Sequence, residues 1–259
     1  MQKLLLRLAL ILAILGNLLL IQESSAAQLT KCGQYDTINV TPTSNVYTVH
    51  NNVWNGSSTS QCISVNDANG DFNISYSVDN SPIYSSPVSY SFINKGCHWG
   101  SCTDLKSSGM PKQVSNILNA ISSWSTVQPK LGVYDVSYDV WFNKTPTTNG
   151  QPDGAELMIW LAYQGNIQPL GKIIATKVSV AGSLWNIWLG WNGSTNVVTY
   201  ESINRKSTVT GLDIKAFVKD ATLRSYIDPN WYLISVEGGF EIWQQGLGLM
   251  SKSFSVLVD

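Results

Sequence analysis

Three short segments each place an acidic residue two positions before a methionine or a tryptophan. They are SYDVW, ELMIW and GFEIW, whose acids are Asp139, Glu156 and Glu241. Side chains alternate across a strand, so in each segment the acid and the large apolar residue share one face. A solvated sheet face more usually carries Lys, Thr, Ser and Glu without large apolar partners. Acids among aromatic residues therefore indicate a groove.

Such a groove supports acid–base chemistry. Burial favours the neutral form of one carboxylic acid, while a neighbouring acid held by hydrogen bonds stays ionised. Two carboxylates with separated pKa values are what cleavage of a glycosidic bond requires. Glu156 and Glu241 are the predicted pair, and the flanking Trp160 and Trp243 are expected to offer flat surfaces to sugar rings. The alternative is that both glutamates are ordinary sheet-surface acids.

The strands that carry these acids each divide into a core face and an opposite face. In segment 155–163 the predicted core residues are Leu157, Ile159, Leu161 and Tyr163. The residues predicted to face the other way are Glu156, Met158, Trp160 and Ala162. The same alternation predicts core positions for Tyr138, Val140, Phe142, Phe240 and Ile242. It places on the opposite face Asp139, Trp141, Glu241, Trp243 and Gln245.

The rest of the chain reads as an all-β protein. From Gln28 onward, short β-rich runs alternate with Gly, Asn, Ser, Thr and Pro, which predicts two packed antiparallel sheets. Segment 211–227 differs, because its apolar residues recur at near-helical spacing and Pro229 follows them. Segment 111–124 is also compatible with a helix, on a weaker pattern. We expect one domain, residues 28–259, with a single α-helix.

Residues 1–27 have the features of a secretory signal peptide. Lys3 and Arg7 form a positive flank, segment 8–21 is apolar, and Ser-Ala-Ala at 25–27 provides a cleavage site. We therefore expect an exported protein. An uncleaved membrane anchor is the alternative, because segment 4–21 approaches spanning length.

Composition excludes several classes of function. Charged residues make up 13% of the chain and the net charge is −1, which argues against nucleic acid or an anionic membrane surface as a partner. His50 and His98 are the two histidines, and neither lies in a nucleophile motif, so a Ser-His-Asp hydrolase is not expected. There is no phosphate-binding glycine loop or dinucleotide motif. Nothing in the sequence indicates oligomers, so we expect a monomer.

Four cysteines in an exported chain suggest two disulfides. Cys97 and Cys102 bracket the short turn CHWGSC, which favours their pairing and leaves Cys32 with Cys62. The competing interpretation is a metal site, but His98 is the one nearby imidazole and the spacing fits no common zinc pattern. Sequons that mark expected surface positions occur at Asn39, Asn55, Asn73, Asn143 and Asn192.

In these segments the sequence resembles glycoside hydrolase family 12, secreted retaining endo-β-1,4-glucanases with a β-jelly-roll fold. The matching pieces, in the family's order, are CGQY, NNVW, GCHWGSC, SYDVW, ELMIWL, DIKAFV and GFEIWQQGLGL. The pieces ELMIWL and GFEIW are the most specific. Together the pieces span nearly the whole chain after residue 27, so the resemblance implies a jelly-roll sandwich.

The resemblance also implies a role for each matching residue. Glu156 takes the position of the nucleophile, and Glu241 that of the acid/base. Asp139 matches an acid that hydrogen-bonds the nucleophile, Met158 lines the cleft, and Trp54 is a sugar platform. Both disulfide pairings are consistent with the family.

The sequence departs from the family pattern at one position. Asn55 stands where the family usually has glycine after the tryptophan of NNVW, and it begins a sequon. A glycan there would crowd the end of the cleft beside Trp54.

These observations together predict a retaining endo-β-1,4-glucanase that acts on cellulose or β-glucan without a metal or organic cofactor. One alternative is an enzyme of the same fold that acts mainly on xyloglucan or xylan. Others are a non-catalytic carbohydrate-binding jelly roll and a structural cell-surface protein.

Overall fold

The computed structural model describes residues 27–40, 47–57 and 60–259. The predicted signal peptide lies outside these ranges except for Ala27, so it stays a prediction. Within the described ranges, no helix is long and apolar enough to cross a membrane.

The part of the chain that the structure describes is built on two β-sheets. The smaller sheet contains, in spatial order, β1 (Gln28–Lys31), β4 (Gln61–Asn66), β5 (Phe72–Ser77), β17 (Met250–Val258), β9 (Ala120–Val127) and β15 (Thr208–Asp213). The main path of the larger sheet is β12 (Lys172–Val180), β13 (Ser183–Trp191), β14 (Asn196–Ser202), β11 (Ala155–Gln164), β10 (Val133–Asn143), β16 (Tyr232–Gln244), β6 (Ser89–His98), β3 (Tyr47–His50) and β2 (Thr37–Val40). Two short strands join this path, β7 (Ser101–Cys102) beside β6 and β8 (Lys112–Gln113) beside β16.

This arrangement confirms the predicted all-β sandwich, with one difference in strand direction. β11 and β14 pair in parallel, whereas two purely antiparallel sheets were expected. The chain between them forms the antiparallel pair β12–β13 at the edge of the sheet. Because β13 is antiparallel to both β12 and β14, β14 runs in the direction of β12. It lies beside β11 and runs in the direction of β11 as well.

The predicted helix is present as α2 (Ile214–Leu223), after a four-residue helix, α1 (Leu105–Ser108), that the sequence did not predict. Asp213 caps α2 by accepting a hydrogen bond from the backbone N–H of Ala216. The helix buries the apolar face that its spacing predicts, through Ile214, Phe217, Val218 and Ala221.

The weaker helix prediction, for segment 111–124, is wrong. The segment contains β8, a 3-10 helix at Val114–Asn116 and the start of β9. In β9 burial alternates, with Ser122 and Trp124 facing inward, and the strand pairs with both β15 and β17. Pairing on two sides satisfies the backbone of β9 and outweighs a weak helical pattern.

Alternation correctly predicts the core face of the strands that carry the acids. Tyr138, Val140, Phe142, Leu157, Ile159, Leu161, Phe240 and Ile242 all belong to the main core. The prediction fails at the end of β11, where Ala162 lies in the main core and Tyr163 packs on the opposite side. Val136 pairs with Ala162 and Ser137 with Trp160, so Leu161 is an extra residue in a bulge that reverses the alternation.

Both predicted disulfides, Cys32–Cys62 and Cys97–Cys102, are present. The first joins the chain before β2 to β4, and the second closes the turn between β6 and β7.

Candidate active site

A cleft with a volume of about 1300 Å³ is lined by residues of the larger sheet and its loops. Every side chain that the sequence predicted for catalysis or substrate binding lines it: Trp54, Asp139, Glu156, Met158, Trp160, Glu241 and Trp243. The residues come from separate strands and one loop, so the fold brings the predicted set together.

Three adjacent strands carry the acids of the cleft. β10 lies between β11, which holds Glu156, and β16, which holds Glu241. In the strand register Glu156 pairs with Trp141, and Asp139 pairs with Met158 on one side and Glu237 on the other. The two predicted catalytic glutamates therefore flank a central strand that contributes an acid of its own.

Glu156 is nearly buried and has an amide donor. Its side chain is 8% exposed, and Asn192 Nδ2 donates to its Oε2 at 2.7 Å. The same nitrogen donates to Thr195 Oγ1 at 3.2 Å, so both of its hydrogens are used. Burial raises the pKa of Glu156 to about 8; the Asn192 hydrogen bond opposes this rise, and the charges of Glu241 and Glu237 add to it.

The neighbour of Glu241 is a carboxyl group, whereas the neighbour of Glu156 is an amide. It is partly exposed to the cleft, and its carboxyl lies within hydrogen-bonding range of the carboxyl of Asp135. Burial raises the pKa of Glu241 well above the ordinary range, and the charge and hydrogen bond of Asp135 raise it further. A carboxylate neighbour favours the protonated form of Glu241, whereas an amide donor favours the ionised form of Glu156.

Asp139 lies among the other acids. Its pKa is raised well above the ordinary range by burial, and then by the charges of Glu156, Glu237, Glu241 and Asp135. The resemblance predicted a hydrogen bond from Asp139 to the nucleophile. The donor at Glu156 in this structure is the Asn192 amide, and the charge of Glu156 contributes to the raised pKa of Asp139.

Glu237 is a further acid, and it was not among the residues predicted for the site. It is fully buried, and its Oε1 accepts from Ser235 Oγ at 2.8 Å and lies 3.1 Å from His98 Nδ1. It occupies the cleft side of β16, opposite Asp139 in the register.

The family model for "Glycosyl hydrolase family 12" matches residues 45–259. The chain belongs to this family. It is 35% identical over 150 residues to a probable cellulase, Cel12b, of Mycobacterium tuberculosis. This match covers 58% of this chain and 97% of that protein. It is 29% identical over 248 residues to a xyloglucan-specific endo-beta-1,4-glucanase A of Emericella nidulans, covering 91% of this chain and 95% of that one.

Solved structures agree with this assignment. Endoglucanase cel12A from Rhodothermus marinus superposes with a TM-score of 0.83 at 38% identity, covering 89% of this chain and 99% of that chain. The protein is therefore a glycoside hydrolase with the family's jelly-roll fold, and the expectations of a non-enzymatic binding module or structural protein are set aside.

The cleft of this family 12 enzyme has buried and open apolar residues. Met158, Trp160 and Trp243 are at most 5% exposed and pack with one another, with Ile167 and with Val197. They form the cleft wall, so they present little free face to a sugar ring. Among the predicted aromatic residues, Trp54 is accessible, at 43%. Open aromatic side chains outside the predicted set also line the cleft: Tyr35, Tyr84, Trp99 and Trp191.

At two of the predicted surface sequons, Asn143 and Asn192, the side-chain amide forms hydrogen bonds with other residues of the protein. Asn143 is 1% exposed; its Nδ2 donates to the carbonyl of Thr147, and its Oδ1 accepts from the N–H of Asp153. The expectation that it lies on the surface is wrong, because its amide closes the loop after β10. Asn192 is exposed, but its amide bonds Glu156. Asn55 is exposed beside Trp54, as expected.

Proposed function

We propose that this family 12 hydrolase cleaves internal β-1,4 bonds of glucan chains with retention of configuration. The observation that carries the proposal is the contrast between the two glutamates: one cleft holds Glu156 with an amide donor and Glu241 with a carboxyl neighbour. Retention requires two such groups, one ionised and one protonated, with carboxyls about 5–5.5 Å apart.

In the first step, Glu156 is the nucleophile. A carboxylate oxygen of Glu156 attacks the anomeric carbon, the bond to the glycosidic oxygen breaks, and Glu241 donates its proton to that oxygen. Asn192 stabilises the ionised form of Glu156 before attack. The products are a glycosyl ester on Glu156 and a shortened glucan with a free hydroxyl.

In the second step, Glu241 acts as the base. It removes a proton from water, the water oxygen bonds to the anomeric carbon, and the ester to Glu156 breaks. The two displacements restore the original configuration and return both glutamates to their starting protonation states.

The open aromatic residues support an extended polymer as substrate. Trp54, Trp99 and Trp191 are between 42% and 58% exposed along one cleft, so several sugar rings can stack on separate platforms. A cleft lined at several points suits cleavage within a chain.

Xyloglucan is the alternative substrate. The Emericella nidulans relative is named for xyloglucan and the Mycobacterium tuberculosis relative as a cellulase, at similar identities. We favour unsubstituted glucan because the structural match to the Rhodothermus marinus endoglucanase combines 38% identity with 89% coverage of this chain.

The test is hydrolysis of carboxymethylcellulose, barley β-glucan, xyloglucan and xylan by the chain without residues 1–27. We expect a rapid fall in carboxymethylcellulose viscosity, and proton NMR should show the β-anomer as the first product. Preferential cleavage of xyloglucan would show that xyloglucan, and not unsubstituted glucan, is the substrate. An α-anomer as the first product would overturn retention.

A further inference from the structure

Asp135 is a buried acid that the two steps above do not use. It lies on β10 and is 0% exposed, on the same side of the strand as Ser137 and Asp139. Ser137 Oγ donates to its Oδ1 at 2.7 Å. When all the acids are ionised, Oδ2 has no hydrogen-bond donor among the residues that the structure describes. An unpaired buried carboxylate oxygen carries a large desolvation cost.

The strand register explains what lies across from Asp135. On β10 and β16, Tyr134 pairs with Ile242 and Ser137 with Gly239, so the same register places Asp135 opposite Glu241. The carboxyl of Asp135 faces both the carboxyl and the backbone N–H of Glu241. Two carboxyls can share a hydrogen bond only if one carries a proton, and that proton supplies a donor to the pair.

We propose that Asp135 is a positioning residue for the acid/base: its carboxylate accepts a hydrogen bond from protonated Glu241 and holds the proton there until the glycosidic oxygen takes it. The inference rests on the proposed role of Glu241 as acid/base. It assigns to Asp135 a function in proton transfer, although the residue does not contact the reacting bond.

The other titratable groups around Glu241 do not provide such a bond. From β6, Tyr90 pairs with Glu241 in the register, but its hydroxyl donates to the carbonyl of Ser137 at 3.2 Å. Asp139 from β10 and Glu156 from β11 interact with Glu241 through charge. On β16 itself, Glu237 is bonded to Ser235.

The pKa shifts agree with the geometry. Burial raises the pKa of Asp135 to about 6, and its contacts with Glu241 and Ser137 oppose this rise. The same contact raises the pKa of Glu241. When the pair holds one proton, the contact therefore favours that proton on Glu241 rather than on Asp135.

The pair has opposite effects on the two steps. Proton transfer to the leaving oxygen leaves two carboxylates facing each other, Glu241 and Asp135. Their repulsion makes Glu241 a stronger base, so it takes a proton from water readily in the second step. Asp135 therefore makes Glu241 a weaker acid in the first step and a stronger base in the second.

The test is the titration of Glu241 in the Asp135→Asn enzyme. It is monitored by carbon NMR of glutamate labelled at the carboxyl carbon. The chain has five glutamates, and Glu241→Gln identifies the Glu241 signal. Asparagine keeps the size of Asp135 and can accept from Ser137, but it removes the charge and offers an N–H to Glu241. We expect the pKa of Glu241 to fall by about one unit or more, and the alkaline limb of kcat/KM to move to lower pH.

Ser137→Ala is the matched control, because it loosens Asp135 but keeps its charge. We expect it to shift the titration of Glu241 much less than Asp135→Asn does. The inference is overturned if Glu241 titrates unchanged or at higher pH in the Asp135→Asn enzyme, or if Ser137→Ala reproduces the shift. Failure of the proposed function gives a different result: Glu241→Gln would then cleave glucan at the wild-type rate, whatever the titration shows.

Discussion

The surroundings of Glu156 and Glu241 differ in one partner. Both glutamates face the same cleft from strands that flank β10, and burial raises the pKa of both. Glu156 receives a hydrogen bond from an amide, Asn192, whereas Glu241 faces another carboxyl, Asp135. An amide donor stabilises a charge, and a carboxylate stabilises a proton. One sheet face can therefore keep two identical side chains in different protonation states, which is the condition for double displacement.

The same contrast explains which glutamate ionises first. Burial raises the pKa of both groups; the Asn192 hydrogen bond opposes the rise at Glu156, whereas the charge and hydrogen bond of Asp135 add to it at Glu241. The two partners therefore favour loss of the proton from Glu156 before Glu241. Substitutions that remove one partner at a time test this order.

The largest expected effect follows the loss of the acid itself. We expect Glu241→Gln to slow hydrolysis of carboxymethylcellulose by about 10²–10⁴-fold, because the sugar hydroxyl that leaves from this polymer requires a proton. Formation of the glycosyl-enzyme from 2,4-dinitrophenyl cellobioside should slow far less, because dinitrophenolate leaves without protonation. Initial rates on carboxymethylcellulose, and the pre-steady-state burst of dinitrophenolate from the cellobioside, check this.

Glu201→Gln is the matched control for the loss of a glutamate. Glu201 lies on β14 and accepts from Trp188 Nε1 at 2.9 Å, and it does not line the cleft. We expect it to retain wild-type rates. Equal losses on both substrates in Glu241→Gln would contradict its assignment as the acid.

A smaller effect is expected when Glu156 loses its amide donor. Asn192→Ala removes a hydrogen bond to a charged group, which contributes about 1.5–3 kcal/mol, so kcat/KM should fall by about 10- to 100-fold. The pKa of Glu156 should rise, which moves the acid limb of kcat/KM to higher pH. Ser194→Ala, in the same loop, leaves Asn192 in place and should keep the wild-type profile. An acid limb that stays in place in Asn192→Ala would show that Asn192 does not set the ionisation of Glu156.

Stability should depend on pH because buried acids in and beside the cleft have raised pKa values. The folded chain keeps protons that the unfolded chain has lost, so this contribution to stability is present at pH 4 and is lost as pH rises towards 8. The contribution of Asp135 to stability decreases until about pH 6, and that of Glu156 until about pH 8. We expect the free energy of unfolding to fall by about 2 kcal/mol or more over this range.

Urea unfolding at a series of pH values measures this dependence. Glu156→Gln should flatten the part of the curve between pH 6 and 8, because glutamine does not titrate. A stability that rises between pH 4 and 8 would contradict the raised pKa values.

Alternation along the strands predicted the cleft face well where pairing is regular. Glu156, Met158 and Trp160 were correctly placed on the side opposite Leu157 and Ile159. It failed beyond Leu161, because an extra residue in one strand reverses every later side chain. Single-sequence alternation contains no information on where a partner strand skips a residue.

Other features depend on packing that the sequence does not display. Trp160 and Trp243 are on the predicted face, but neighbouring apolar residues cover their rings. Asn192 reaches Glu156 from the loop after β13, and no local pattern connects the two. Asp135 could have been found, because it precedes Asp139 by four residues on the same face; only the pairing with β16 reveals its partner.

The most direct test of the contrast between the glutamates is to trap the covalent intermediate. The enzyme would be incubated with 2,4-dinitrophenyl 2-deoxy-2-fluorocellobioside, digested, and analysed by peptide mass spectrometry. The fluorine slows both steps, while the dinitrophenolate leaving group lets the first proceed, so the intermediate accumulates. We predict one fluorocellobiosyl group per molecule, attached to Glu156. Attachment to Glu241, or rapid hydrolysis without a covalent adduct, would contradict the assignment of Glu156 as the nucleophile.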